Sequence, residues 1–412
     1  MSGFDHTGSE LACDGVPVRD AAERFGTPLF VYSRASIEDS WRAYAEAFAR
    51  VPHRICYAVK ANGNGAILRL LAGLGAGADI VSGGEMLAAL RAGFPPERIV
   101  FAGVGKTDEE LALGLERGIG EFNAESEHEI VRLGRAAVAR GGVARVSLRV
   151  NPDIDPQTHP YISTGLREAK FGVPISRAPD ILRRSRELDG IRIVGLQCHL
   201  GSQIIDLEPL ATAARDLAGL SRRLLDEGFD LETIDLGGGL GVDYEGGRGP
   251  EPGALAEQIL PAIAGLPLTL VLEPGRSLVA GAGALLTRVL YVKENQGRRF
   301  VIVDAGMNDL LRPALYRAFH RVEPAKPRGG PLVEVDVVGP VCETGDFLAR
   351  GRPMELPEPG DLLVVRDTGA YGFAMSSRYN LRPRAAEVLV EDGAVRLIRR
   401  RETFQDLIDT ET

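Results

Sequence analysis

Cysteine is scarce in this chain and poorly placed for cross-linking. The four cysteines, Cys13, Cys56, Cys198 and Cys342, lie far apart with no CxxC pair, which argues against a disulfide framework and against a thiolate metal site. Nor does any acid or second histidine stand at ligand spacing from His199. No run approaches the roughly 18 apolar residues of a membrane-spanning helix. Basic excess is missing too: Lys+Arg 48 against Asp+Glu 57 leave a net charge of -9, the wrong sign for a nucleic-acid partner. The opening residues Met1-Ser2-Gly3-Phe4-Asp5 show neither a basic leader nor an apolar core, so no export signal is expected. Internal repeats and low-complexity tracts are absent. A cytoplasmic protein without a membrane partner is the expectation.

What is present is enough for a large core. The chain has 412 residues, of which 44% are hydrophobic, sufficient for two domains or for a barrel with an appendage. Short β-prone runs recur at Ile55–Lys60, Ala78–Val81, Ile99–Phe101, Glu121–Asn123, Arg145–Val150, Ile193–His199, Thr233–Leu236 and Leu268–Glu273. Amphipathic stretches separate them, among them Met86–Ala92, Asp108–Arg117, Glu125–Arg140, Glu208–Glu227 and Ala254–Ala264. Such alternation predicts an α/β fold, a (β/α)₈ TIM-like barrel over residues 33–277. An open doubly wound sheet is the alternative, but it usually has fewer strands. From about residue 278 the helices thin out, and Gly, Pro and Asp separate runs such as Leu285–Val292, Leu332–Val338 and Ala386–Val390. A mainly antiparallel β domain is expected there. Leu29–Tyr32 precedes the barrel and is strand-like, so this domain is expected to be discontinuous, over 1–32 and 278–412.

Active sites of such barrels lie at the C-terminal strand ends. The first expected strand ends in Lys60, where burial would lower the amine's proton affinity and free it to form a Schiff base with an aldehyde. A strand-end lysine reaching into solvent is the plainer alternative. The second strand begins with Asp79, the fifth carries Arg149, and the sixth ends in His199. Gly237-Gly238-Gly239 follows the seventh strand, without a Cβ between its N–H groups and an incoming phosphate; a flexible turn is the alternative. Arg276 and Ser202 would add a charge and a hydroxyl to the same group. Glu273 closes an apolar run and needs a cationic partner, either Arg276 or a protonated ring nitrogen.

Taken together, Tyr57–Asn62, His199–Gln203, Gly237–Gly239 and Glu273-Pro274-Gly275-Arg276 resemble the pyridoxal-phosphate amino-acid decarboxylases with an alanine-racemase-like barrel. His159–Gly165, Asp304–Leu310, Arg312–Tyr316 and Cys342–Asp346 resemble the branch of that family acting on diaminopimelate. The resemblance runs from about Phe25 to Thr403. It implies a carbon–carbon lyase using pyridoxal 5'-phosphate to convert meso-diaminopimelate to L-lysine and carbon dioxide, the last step of lysine biosynthesis. Lys60 would hold the cofactor covalently, with His199 on its ring and Glu273 at its nitrogen. Asp79, Arg149, Ser202, Gly237, Gly238, Gly239, Pro274, Gly275, Arg276 and Tyr371 would complete its surroundings. Arg276, Arg312, Tyr316 and Tyr371 would hold the substrate, Glu343 its distal ammonium, and Cys342 would return a proton. It also implies a homodimer in which Cys342 and Glu343 enter the other copy's site. Thr344 stands where a serine is more usual. Arg312 favours a distal carboxylate over a plain diamine precursor such as ornithine. Other readings are a carrier-tethered glutamyl substrate, a carboxylated polyamine such as carboxynorspermidine, arginine, a racemase, or a silent cofactor-binding regulator.

Overall fold

A computed structural model describes residues 3–156, 158–166, 169–247 and 249–411. Met1, Ser2 and Thr412, which the expected domain ranges include, lie outside the described residues. The chain divides into two compact units. One comprises Trp41–Val242 and Gly249–Arg276; the other comprises Met1–Ser40, Asp243–Arg248 and Ser277–Thr412.

In the first unit eight parallel strands close into a barrel: His53–Ala58, Gly77–Ile80, Ile99–Phe101, Glu121–Ala124, Ala144–Asn151, Ile191–Gln197, Thr233–Asp235 and Thr269–Leu272. Closure is made where the eighth strand pairs with the first, Leu272 beside Ile55, and the fourth with the fifth, Phe122 beside Val146. Side chains alternate along a strand, so residues two apart share a face. Cys56, Val100 and Val271 fill one part of the lumen. Gly195 has no room for a side chain, because a Cβ there would meet Thr233 Oγ1 at 2.2 Å and Ser147 Oγ at 2.4 Å. In the same layer buried Glu121 accepts hydrogen bonds from the hydroxyls of Ser147 and Thr233. Two residues further on, the same inward faces present Asn123, Arg149, Gln197, Asp235 and Glu273 at the mouth.

The helices return the chain to the barrel's other end, and several of their starts carry side-chain caps. Asn64, Ser82, Thr107 and Ser126 each accept a backbone N–H at the first turn of Gly65–Gly73, Gly83–Ala92, Asp108–Arg117 and Glu127–Val138. Such a cap contributes about 1 kcal/mol. Part of the polar character read at the strand ends is therefore capping. Ser82 in particular receives Glu85 N, and the Glu85 carboxylate in turn receives Val81 N at 2.8 Å. Gly65–Gly73 and Ala178–Ser185 are helices that the periodicity did not mark. No helix among the described residues is long and apolar enough to cross a membrane.

The second unit is mainly antiparallel. Its largest sheet runs Phe347–Glu355, Leu332–Val338, Arg298–Val303, Gly283–Asn295, Leu29–Ser33, Ala386–Glu391 and Ala394–Arg399. Leu29–Ser33 lies between Gly283–Asn295, antiparallel, and Ala386–Glu391, parallel. The N-terminal strand thus sits inside the C-terminal sheet, because its alternate residues Leu29 and Val31 join Leu286, Val364 and Val388 in one core. Burying a side chain of this size stabilises by about 1.5–3 kcal/mol. Three short strands before it, Phe4–Thr7, Glu10–Cys13 and Val16–Pro17, add Phe4, Leu11 and Cys13 to that core.

Candidate active site

The first barrel strand stops at Ala58, two residues short of the expected end. Lys60 instead lies in a single 3₁₀ turn, Val59–Ala61. At the strand's end Ala58 N donates to Pro274 O at 3.1 Å, in the loop after the eighth strand. There Gly275 passes so close that a Cβ would meet Ala58 and Ala61 at 3.0 and 3.1 Å. The turn aims Lys60 Nζ at Asp79, 2.6 Å from Oδ2. A fully buried carboxylate therefore sits against the amine. Asp79 Oδ1 is buried without a hydrogen-bond partner.

Glu273 follows the eighth strand and is buried. Asn123 Nδ2 and Gln197 Nε2 each donate to it at 3.1 Å. Asn123 Nδ2 also lies 3.5 Å from Asp235 Oδ2. Burial and the neighbouring charge of Asp79 push the Glu273 carboxyl up to about 7, against the pull of Lys60. Burial and Glu273 raise Asp235 well above the carboxylate range. The same two causes, burial and Asp79, raise Glu85 to about 7, partly offset by the hydrogen bond from Val81 N. An acid with so high a proton affinity is a strong acceptor for an N–H⁺.

His199 lies beyond the sixth strand, which ends at Gln197. Burial, Arg149 and Lys60 hold its imidazole well below the usual range, so the ring is neutral. Gly238 N donates to Nδ1 at 3.2 Å, which leaves the single proton on Nε2. The stretch His159–Gly165 buttresses this loop: Thr164 Oγ1 donates to His199 O at 2.7 Å, and Gly165 N to Leu200 O at 2.8 Å.

The glycine run does more than expose N–H groups. Gly237 N is engaged by Asp235 Oδ1 at 2.8 Å and Gly238 N by His199. A Cβ on Gly238 would meet Glu273 O at 2.2 Å, and one on Gly239 would meet Gly201 O at 2.7 Å. The run therefore lets the loops after the sixth, seventh and eighth strands touch. Beside it, Arg276 Nη2 donates to Ser202 Oγ at 2.9 Å. Arg149, also buried, pairs with Glu125 at 2.6 Å.

The second unit holds the remaining expected residues. Buried Arg312 opens the helix Arg312–Tyr316, with Tyr316 half-buried at its end. Cys342 and Glu343 are exposed. Their loop is tied down by Asp346, which accepts Val341 N and Met307 N, each at 2.6 Å. Asn380 Oδ1 receives Cys342 N at 3.0 Å, and Tyr379 donates to Glu343 at 2.9 Å. Tyr371 has a left-handed backbone, φ 57. Several of these neighbours escaped the sequence reading: Asn123, Gln197, Asp235, Tyr379 and Asn380. Gln197 carried a signal, since it lies two residues before His199 on the inward face.

The barrel-mouth residues fit pyridoxal 5'-phosphate. Lys60 brings an amine for its aldehyde, Glu273 a basic carboxylate for its ring nitrogen, and His199 an uncharged face. Arg276 and Ser202 bring a charge and a hydroxyl for its phosphate. Besides that of Asp79, the buried Asn123 Oδ1 and Gln197 Oε1 lack partners, as polar atoms shaped around a bound group do.

Comparisons with known proteins agree with this chemistry. The family described as pyridoxal-dependent decarboxylase, pyridoxal binding domain, matches residues 34–280. A diaminopimelate decarboxylase of Pseudomonas aeruginosa is 53% identical over 99% of this chain and 98% of its own. Two solved structures, both in complex with L-lysine, are similar throughout. The diaminopimelate decarboxylase of M. jannaschii has a TM-score of 0.95 at 39% identity, covering 100% of this chain and 99% of that one. That of Helicobacter pylori has a TM-score of 0.93 at 44% identity, covering 96% and 99%.

Proposed function

The chain belongs to the pyridoxal-dependent decarboxylase family, and from that premise we propose that it releases carbon dioxide from meso-diaminopimelate to give L-lysine. The observation that carries this reading is the full-length likeness to enzymes of that name. The cofactor, when bound, supplies an electron sink for the bonding pair left behind as carbon dioxide departs.

In this reading the chain's own residues do the rest. Lys60 holds the aldehyde carbon, and Asp79 keeps the Nζ in place at 2.6 Å. Glu273, oriented by Asn123 and Gln197, would hold a proton at the ring nitrogen. Neutral His199 would offer the ring an uncharged face. Arg276 and Ser202 would take the phosphate between them. Arg312 and Tyr316 take the distal carboxylate and Glu343 the distal ammonium, so a zwitterion is matched at the non-reacting end. The Cys342 thiol delivers a proton to the α-carbon in place of the lost carboxyl group. We assign Cys342 and Glu343 of each copy to the site of the other copy in a homodimer; their exposure on one chain supports this. A cytoplasmic location fits the unpaired cysteines.

The test is purification with cofactor, an absorbance spectrum, and an assay of gas and lysine from meso-diaminopimelate. Carbon dioxide and lysine in equal amounts are expected. A protein with its cofactor bound that releases neither rules the reading out.

A further inference from the structure

Arg312 is buried, and its surroundings are specific. Its Nη1 lies 2.7 Å from His320 Nε2, while His320 Nδ1 lies 2.8 Å from the carbonyl oxygen of Arg366. A guanidinium only donates and a carbonyl only accepts. The imidazole between them must therefore accept at Nε2 and donate from Nδ1, which makes it neutral and fixes its tautomer. The sheet holds that carbonyl still: Val322–Pro324 pairs antiparallel with Leu362–Val365, and Arg366 N donates to Arg321 O at 2.9 Å. Tyr244 closes the other side. Its ring stands 5.1 Å from the imidazole at 69°, and Arg312 Cζ lies 4.5 Å from its centroid. Arg312 is thus held on an edge by a neutral acceptor and on a face by a π system, and neither contact cancels its charge. An acid at position 320 would fix the guanidinium equally well but would neutralise it.

We propose that His320, backed by Tyr244, is a positioning residue that sets the Arg312 guanidinium for the distal carboxylate of the substrate, and so determines specificity without touching the substrate. This rests on the reading of Arg312 as the grip on that carboxylate. The two ideas part in the following experiment.

Steady-state kinetics are measured on the holoenzyme with His320→Phe, His320→Gln and Arg312→Lys. The phenyl ring keeps the packing on Tyr244 and removes both nitrogens; the glutamine restores an acceptor. His320→Phe is expected to raise KM for meso-diaminopimelate about tenfold or more, the scale of one hydrogen bond to a charged group. Its kcat should stay within about threefold, since the lost contact is remote from the reacting bond. His320→Gln should recover most of the loss. L-lysine retains a distal carboxylate and diaminopentane has none, so inhibition by lysine should weaken in parallel while inhibition by diaminopentane holds. Equal weakening of both inhibitors without rescue by glutamine overturns the positioning role in favour of general loosening. An unchanged KM in Arg312→Lys overturns both ideas. A raised KM in Arg312→Lys with none in His320→Phe overturns the positioning role alone. If His320→Phe does not fold, Tyr244→Leu replaces it, and a KM that fails to rise there counts against the proposal.

Discussion

The barrel and the β-rich unit carry their functional side chains in opposite ways. In the barrel Lys60, Asp79, Glu273 and Asp235 face one another at the mouth, three of them buried, and each charge shifts its neighbours. In the other unit Cys342 and Glu343 lie on an exposed loop, held by Asp346, Asn380 and Tyr379 among others. A closed ring of strands fixes polar groups in a low-dielectric interior, where small displacements change proton affinities strongly. A loop on a sheet can be re-aimed without disturbing that interior. On the proposed reading, reaction chemistry is assigned to the barrel, and recognition with proton return to the β-rich unit.

This division can be broken from either side. The largest effect belongs to Lys60→Ala, which should remove the covalent near-visible absorbance and bring turnover to background. A covalent chromophore that persists contradicts the assignment. Next comes Cys342→Ala, expected to slow kcat by about 100-fold, the scale of a lost proton donor, with the chromophore intact. Spectral loss in that variant would mean that the two regions are not separable. Asp346→Asn should act more weakly. The amide keeps one acceptor for two backbone N–H groups, so turnover should fall about tenfold, in line with roughly 1–3 kcal/mol for an unmet buried donor. Unchanged turnover would show that the loop needs no such anchor.

The smallest effect is a pH dependence confined to the barrel. The Glu273 carboxyl is raised from 4.5 to about 7 by burial and Asp79. Folding therefore favours its protonated form. Its contribution to stability is complete below about 4.5 and is lost as pH rises through about 7. In the cofactor-free protein, Glu273→Gln should flatten the fall in melting temperature across that window by a few degrees. Identical profiles for the two proteins would show that the acid pair absorbs the titration without cost.

Much of the barrel was legible because parallel strands are buried on both faces and read as short apolar runs between amphipathic helices. Lys60, His199, Glu273 and Arg276 stood out as polar residues ending such runs. The partners of Glu273 did not. Asn123 and Gln197 lie 150 and 76 residues away in sequence and meet it only because the ring closes. Ser82 shows the converse, since a helix cap and a ligand site use the same residue type. The strand Phe347–Glu355 is hard to read because Arg350-Gly351-Arg352-Pro353 interrupts its apolar pattern. Gly351, at φ 58, forms an irregularity in the pairing with Leu332–Val338. Tyr244 and His320 matter only through Arg312, and no local pattern announces such a relation.

The division of labour is tested most directly by mixing Lys60→Ala with Cys342→Ala under conditions of demonstrated subunit exchange. Random reassortment makes half of the dimers mixed, and each mixed dimer holds one site with both residues intact. The account predicts recovery of about a quarter of wild-type activity, as two-fold symmetry requires. A mixture as inactive as its parents, with exchange proven, would contradict it.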